Sequence, residues 1–269
     1  MKPKKGDTVT QANPLIEAGS KMTLVEKRFL LLGISRINPM RKEGAPLEFY
    51  ITVDQWRDAY PDDPTPWRSL DRGSEGLARR FVLFRESINP KDTWSRARFT
   101  WLSGVRYWDG EGLVRVKFGL DISEFLTGNL EQFTSIPLLE LGRFRSTHAI
   151  RLYELMNQYK YTGYLKISLE DFRFSMGCKY PDVRDLRKKV ALVALKEINK
   201  QSRFDISFQQ IKRGRTITHF VFEFTPDTRK QKQASHDAPI ENTDPDNPAR
   251  QKTRDRSLNE DLYDRSWAS

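Results

Sequence analysis

The chain has 269 residues, 38% of them apolar and 12% aromatic, which suits two modest cores rather than one large one. Lys and Arg number 46 against 36 Asp and Glu, a formal net charge of +10 and a pI near 9.6, so a polyanionic partner and salt-sensitive binding are expected. One cysteine, Cys178, excludes a disulfide framework, and His148, His219 and His236 have no metal-ligand spacing, so neither metal nor cofactor is expected.

The opening MKPKKGDTVTQANP is charged but lacks an apolar h-region, and the longest apolar run, Phe29 to Leu32, is too short to cross a bilayer. A cytoplasmic protein with no membrane partner is expected. Thr23 and Glu26 have capping-box spacing ahead of the apolar helix VEKRFLLLGISRI. The run Ile51-Thr52-Val53-Asp54-Gln55-Trp56-Arg57 predicts a β residue, a hydroxyl cap and a helix with an acidic first turn. Trp67, Leu70, Leu77 and Phe81 predict a helix near Pro66 to Val82, although Gly73 and Gly76 each cost it about 1 kcal/mol relative to Ala. Two β runs, Trp94 to Trp108 and Leu113 to Phe118, flank an Asp109-Gly110 turn. ISEFLTG then reads as a short helix and QFTSIPLLELGRF as a strand leading to a second domain.

In the second half, THAIRLYELMNQYK places Ile150, Leu152, Tyr153, Leu155, Met156 and Tyr159 on one buried stripe behind a Ser146 or Thr147 cap. A β run from Tyr164 to Ile167 meets Ser168, which caps a helix carrying Leu169, Phe172 and Phe174 with Glu170 and Asp171 in its first turn. Cys178, Tyr180 and Pro181 mark a turn, the cysteine reading as a small, partly buried thiol. The helix DVRDLRKKVALVALKEINK aligns Val183, Leu186, Val190, Val193 and Ile198, while Arg184, Arg187, Lys188 and Lys189 crowd its start. Cations there oppose the helix dipole at roughly 0.3–1 kcal/mol each, so something outside the fold must reward them, though Asp182 and Asp185 offset part of the cost. The hairpin RFDISFQQIKRGRTITHFVFEF alternates Phe204, Ile206 and Phe208, then Ile217, His219, Val221, Phe222 and Phe224, around the turn Lys212-Arg213-Gly214-Arg215. A tip with Lys212, Arg213 and Arg215 suits phosphates or a minor groove. From Pro226 the chain is polar and holds 8 basic and 9 acidic residues, so the excess charge sits on the body and the tail is expected to be disordered.

The two halves share a plan: Ile51 to Arg57 lines up with Ile167 to Arg173, each preceded by an apolar helix and followed by a third helix and a hairpin. The predicted fold class is α+β, two tandem winged-helix domains related by pseudo-duplication, at 13–130 and 131–225, with a tail at 226–269. In the first domain Arg68, Arg72, Arg79 and Arg80 are candidate phosphate contacts, as readily ordinary exposed arginines.

RSTHAIRLYELMNQYK, YLKISLEDFRF, DLRKKVALVALKEINK and IKRGRTITHFVFEF together resemble the second domain of iteron-binding plasmid replication initiators, the RepA, RepE and π type. NPLIEAGSKMTLVEKRFLLLGISRI resembles the start of their first winged helix, so the likeness runs from Asn13 to Phe224 and is weak from Asp62 to Thr93. The resemblance implies a bacterial, plasmid-encoded protein that binds duplex DNA and is not an enzyme. Such proteins bind direct origin repeats as monomers, help open adjacent AT-rich DNA, and recruit the host initiator, helicase loader and helicase. Their dimers, joined through the first domain, repress transcription from an inverted repeat. The resemblance puts Arg187, Lys188 and Lys189 at a major groove, Arg184 following from helix phase, and matches the Arg213-Gly214-Arg215 tip to the family's basic hairpin. Arg184, Arg187 or Lys188 would then read guanine edges, and Lys212, Arg213 and Arg215 hold phosphates.

Rival readings are a nicking enzyme and a winged-helix transcription regulator. The chain has neither His-x-His nor a Gly-x-x-x-x-Gly-Lys-Ser/Thr loop, and its closest paired carboxylates, Asp62-Asp63 and Asp244-Pro245-Asp246, read as turn and tail. Nothing in the DNA-reading surface separates the regulator from an initiator.

Overall fold

The computed structural model describes residues 7–38, 47–87, 94–127 and 132–225, so the predicted tail, with Asp244, Asp246 and His236, lies outside the described residues. The chain begins with β1 (Thr8–Ala12), α1 (Asn13–Glu17) and α2 (Leu24–Ile34). The predicted capping box is formed: Thr23 Oγ1 accepts from the Glu26 amide at 3.3 Å, and Glu26 Oε2 accepts from the Thr23 amide at 2.9 Å. Then come β2 (Glu48–Thr52), α3 (Val53–Ala59), α4 (Pro66–Ala78), β3 (Phe81–Ser87), β4 (Trp94–Thr100), β5 (Leu102–Trp108), β6 (Leu113–Phe118) and α5 (Leu120–Ser123). The second half adds β7 (Phe133–Pro137), α6 (Leu138–Gly142), α7 (Thr147–Gln158), β8 (Tyr164–Ser168) and α8 (Leu169–Ser175). A long helical run follows, comprising α9 (Val183–Asp185), a π-helical stretch at Leu186–Ala191 and α10 (Leu192–Gln201), and β9 (Ile206–Arg213) and β10 (Thr216–Phe224) close the fold.

The predicted duplication is present element by element. Thr52 and Ser168 each end a strand and cap the next helix, accepting from the amides of Gln55 and Asp171 at 3.2 and 3.0 Å. Both sheets are antiparallel with the last strand in the middle, β2-β6-β5 in the first half and β8-β10-β9 in the second. Helices followed by a three-stranded sheet ending in a hairpin make each half a winged helix. Among the described residues the β3-β4 pair is an addition with no counterpart in the second half.

Several expectations change. The β run Trp94 to Trp108 is cut at Trp101, whose indole is buried and donates to Ser20 Oγ at 3.3 Å. In α4 the buried residues are Ser69, Leu70, Gly73, Ser74 and Leu77, whereas Trp67 and Phe81 are exposed. Gly73 and Gly76 serve contact rather than merely weakening the helix. A Cβ on Gly73 would lie 3.0 Å from Phe29 Cβ, and one on Gly76 would collide with the Glu26 carboxyl, so the glycines let α4 close onto α2.

The third helix of the second half buries Leu186, Val190, Ala191, Ala194 and Ile198, and leaves the predicted core residue Val193 47% exposed. A π turn inserts one residue into the α repeat, so beyond it the inward face shifts by one position. In β10 Val221, Phe222 and Phe224 are buried as expected and Phe220 joins them, whereas a β-bulge between Ile217 and His219 leaves those two, also expected inward, only half-buried.

The predicted cut between residues 130 and 131 does not separate two bodies. Strand β7 pairs with β1 along its whole length, from Thr8↔Pro137 to Ala12↔Phe133, and both halves belong to one packed unit that leaves out Arg85–Ala97. Helix α7 joins them. It was expected to bury one stripe, yet Arg151, Glu154 and Asn157 on its polar side are buried too, at 7%, 0% and 4% exposure. Glu154 accepts from Lys27 Nζ at 2.8 Å, Gln11 Nε2 at 3.1 Å and Arg151 Nη1 at 3.4 Å. Arg151 also donates to the carbonyls of Ile16 (2.8 Å), Ala18 (2.6 Å) and Ser175 (2.8 Å), so one side chain ties α1 to α7 and α8.

Candidate nucleic-acid interface

The third helix of the second domain starts at Asp182, whose Oδ1 accepts from the Arg184 amide at 2.6 Å. Leu186 and Val190 point inward and anchor the start of the run, and the three residues between them, Arg187, Lys188 and Lys189, are all exposed, as is Arg184. The π turn holds these three cations. Lys189 is committed locally: it pairs with Asp185 at 3.0 Å and lies 5.4 Å from the Tyr180 ring centroid, and the Asp185 hydrogen bond raises its pKa. Among the described residues no carboxylate pairs with Arg184, Arg187 or Lys188. Their charges are open to an outside partner, which answers the dipole cost noted in the sequence.

At the hairpin tip Lys212, Arg213 and Arg215 are exposed and, among the described residues, unpaired. Gly214 has φ +62°, and a Cβ there would touch nothing, so the turn requires glycine for backbone conformation rather than for space. Bulged β10 against β9 carries this tip on a core of Phe208, Phe220 and Phe222 rings 5.1–5.2 Å apart.

The first domain differs at both places. Arg68 and Arg72 on α4 and Arg79 at its C-cap are exposed, Arg79 paired with Glu75. Arg80 is not available to phosphate in this way. Its Nε and Nη2 donate to both oxygens of Glu26 at 2.9 and 3.0 Å, a fork that holds the end of α4 against the capping box of α2 and raises the arginine's pKa. The β5-β6 hairpin tip is acidic, with Asp109 and Glu111 exposed around Gly110 and Gly112 at φ +79° and +59°.

Cations outside the predicted set stand on the outer face of the β2-β6-β5 sheet. Tyr50, Arg115 and Arg106 form a row across the strands, with Arg106 5.9 Å from the Trp108 centroid. The period-two alternation of β5 and β6 places them there, a signal present in the sequence.

Asp62 and Asp63, the rival metal carboxylates, have structural partners. Asp62 pairs with Arg28 (3.3 Å) and Arg145 (3.4 Å), and Asp63 accepts from the Trp56 indole (2.7 Å) and the Thr65 amide (2.9 Å). Burial pushes the Asp63 carboxyl up, but hydrogen bonds from Ser69, Thr65 and Trp56 outweigh it and hold the pKa below its ordinary value. Among the described residues no group of three His, Cys, Asp or Glu could hold a metal, and no helix is long and apolar enough to cross a membrane.

Two winged helices in tandem, one with an exposed cationic helix start and a cationic wing, define a DNA-binding class of protein. Family models agree: "Initiator Replication protein, WH1" matches residues 8–157 and "Initiator Rep protein, WH2" matches residues 168–224. The chain therefore belongs to the initiator replication proteins, the iteron-binding family its motifs resemble, and is a DNA-binding replication initiator. The first model includes β1 and α7, so its boundary follows α7 rather than residue 130. In fold the chain is similar to the Pi initiator protein, whose crystal structure is in complex with iteron DNA: TM-score 0.66, 21% identity, covering 83% of this chain and 99% of that one. It is also 24% identical over 207 residues to an uncharacterized 27.6 kDa protein of Escherichia coli, spanning 72% of this chain and 85% of that protein.

Proposed function

We propose that the chain initiates plasmid replication by binding directly repeated iterons at the origin as a monomer. The observation that carries this is the exposure of Arg184, Arg187 and Lys188 at one helix start together with Lys212, Arg213 and Arg215 at one hairpin tip. In this reading the helix start enters a major groove, where an arginine forks onto guanine O6 and N7, and the hairpin tip neutralises phosphates. The first domain takes a neighbouring groove about one helical turn, roughly 34–36 Å, away, using Arg68, Arg72 and Arg79. The likeness in fold to an initiator solved on iteron DNA supports the arrangement.

Binding then promotes opening of adjacent AT-rich DNA and recruits the host initiator, helicase loader and helicase. A dimer joined through the first domain binds an inverted repeat and represses its own promoter. The protein acts in the bacterial cytoplasm and makes no covalent change to DNA. An origin fragment that replicates only when this chain is supplied in trans tests the assignment. Failure there, with a footprint on a lone inverted repeat, leaves a transcription regulator. Supercoiled origin plasmid incubated with the protein and magnesium or manganese should stay unnicked, and nicked product would make the chain an enzyme.

A further inference from the structure

A cavity of about 410 Å³ opens beside the first turn of α7, between the segment Ser20–Met22 ahead of α2 and the segment Met176–Tyr180 after α8. Among the described residues no Asp or Glu lines it. Two of its lining side chains, Lys27 and Arg151, are buried and share a single carboxylate, Glu154, so the cluster behind the cavity carries an excess positive charge. Burial is expensive for such a charge. Desolvation above all, with repulsion from Arg151 working against the attraction of Glu154, brings the Lys27 pKa from 10.5 to about 8. Lys21 and Lys179 line the same cavity, are exposed, and pair with no carboxylate among the described residues.

The site has one further anion-seeking feature. Thr147 and His148, the first residues of the 12-residue helix α7, line the cavity and bring the positive end of the helix dipole beside it, while the amides of His148 and Ala149 are already capped by Ser146 Oγ at 3.2 and 3.4 Å, so the helix offers its field rather than those two donors. His148 Nδ1 is buried without a hydrogen-bond partner among the described residues, and burial lowers the pKa of the ring, so His148 lines the cavity without adding charge to it. Trp101 and Tyr180 supply aromatic walls.

We propose that this cavity binds a phosphate monoester that carries an aromatic ring, in the manner of a mononucleotide. The phosphate lies among Lys21, Lys179 and the start of α7, and the ring lies against Trp101 and Tyr180. A dianion matches the charge count better than a carboxylate does, because among the described residues two unpaired lysines, a helix end and a buried excess charge converge with no acid between them. The volume is within the range of roughly 300–1,000 Å³ usual for small-ligand pockets. A free nucleotide and the phosphorylated 5′ end of a DNA strand present the same chemistry. None of these residues belongs to the helix start or hairpin tip assigned to duplex DNA, although Tyr180 lies against Lys189 of that helix start, and the ligand site is tested separately from that assignment.

Calorimetric titration of the full chain tests it, with AMP, adenosine, inorganic phosphate, and a short single-stranded oligonucleotide with and without a 5′-phosphate. AMP is expected to bind, and adenosine to bind at least about tenfold more weakly for want of charge-assisted hydrogen bonds. Replacing Lys21→Gln and Lys179→Gln together should weaken AMP by about 100-fold, roughly tenfold for each lysine, while leaving duplex affinity through the second domain in place. The exposed positions of both lysines keep the fold out of the comparison. Binding of the phosphorylated oligonucleotide alone would support the site and identify a DNA end as its source. AMP and phosphorylated oligonucleotide both failing to bind, or AMP binding the double variant as it binds the parent, would overturn the proposal. Inorganic phosphate binding as tightly as AMP would overturn the role given to Trp101 and Tyr180.

Discussion

Glu154→Gln removes one negative charge from the middle of the molecule with almost no change of shape. The carboxylate is 0% exposed, and its cationic partners Lys27 and Arg151 have side chains only 4% and 8% exposed. The amide can still accept from Gln11, but it leaves two buried cations facing each other without a counter-charge. Breaking a buried pair this way costs about 3–5 kcal/mol, a large part of a domain stability of roughly 5–15 kcal/mol. Asp185→Asn is the control, because it breaks the exposed pair with Lys189, whose side chains are 55% and 42% exposed, and should cost under about 1 kcal/mol. Urea unfolding at neutral pH measures both. A Glu154→Gln loss no larger than that of the control would refute the reading of Glu154 as the charge that holds the two halves. The pH dependence adds a signed check. Lys27 titrates near 8 when folded against 10.5 in the unfolded chain, so between those values the unfolded chain binds more protons and this group's contribution rises with pH. The parent should therefore gain stability relative to Lys27→Met as pH climbs from about 8 to 10.5. A fall over that interval would contradict the burial argument.

Arg187→Ala should lower preference for the cognate site by about 1–3 kcal/mol, whereas Arg213→Ala should weaken cognate and random duplexes alike and flatten the salt slope by about 1. Gel shifts over a salt series distinguish them, and parental behaviour of both variants would remove the assignment. Arg80→Ala should lower the unfolding midpoint by releasing the buried Glu26 carboxylate while leaving the salt slope unchanged, and a flatter slope would return Arg80 to the DNA-contacting set. Val193→Lys should change stability by no more than about 0.5 kcal/mol, while Ala194→Lys buries an unpaired charge and should cost several times as much, on the order of 3 kcal/mol. The opposite order in thermal melts would mean that the helix keeps an unbroken α repeat.

What could be read from the sequence was whatever local chemistry decides. Thr23, Thr52, Ser146 and Ser168 cap helices because a hydroxyl followed by free amides has little else to do, and the duplicated strand-cap-helix register follows from those caps. The cationic helix start and tip were visible because their neighbours in sequence are their neighbours in space. Features set by distant partners were not. The polar side of α7 has the pattern of a solvent-facing stripe, and only the arrival of Gln11 and Lys27 from over a hundred residues away makes Glu154 a buried counter-charge. Arg80 looks like its neighbour Arg79 until α2 brings Glu26 against it. The π turn and the Ile217/His219 bulge each add one residue to a regular repeat, so a strict period put Val193 and His219 on the wrong faces.

The two hairpin tips have the same scaffold and opposite charge, and this difference bears on how the domains divide the work. Lys212, Arg213 and Arg215 attract phosphate, while Asp109 and Glu111 repel it, so the first wing either stands clear of the backbone or limits how closely its domain approaches. Replacing Asp109→Lys together with Glu111→Lys distinguishes these cases. If the first wing lies over DNA, the variant should bind duplex more tightly and its salt slope should steepen by about 1.8, the release expected from two added phosphate contacts. An unchanged slope would place the first wing away from the duplex, and contact from that domain would then rest on Arg68, Arg72 and Arg79. Both positions are exposed turn residues, so a change in slope reports DNA contact and not a loss of fold.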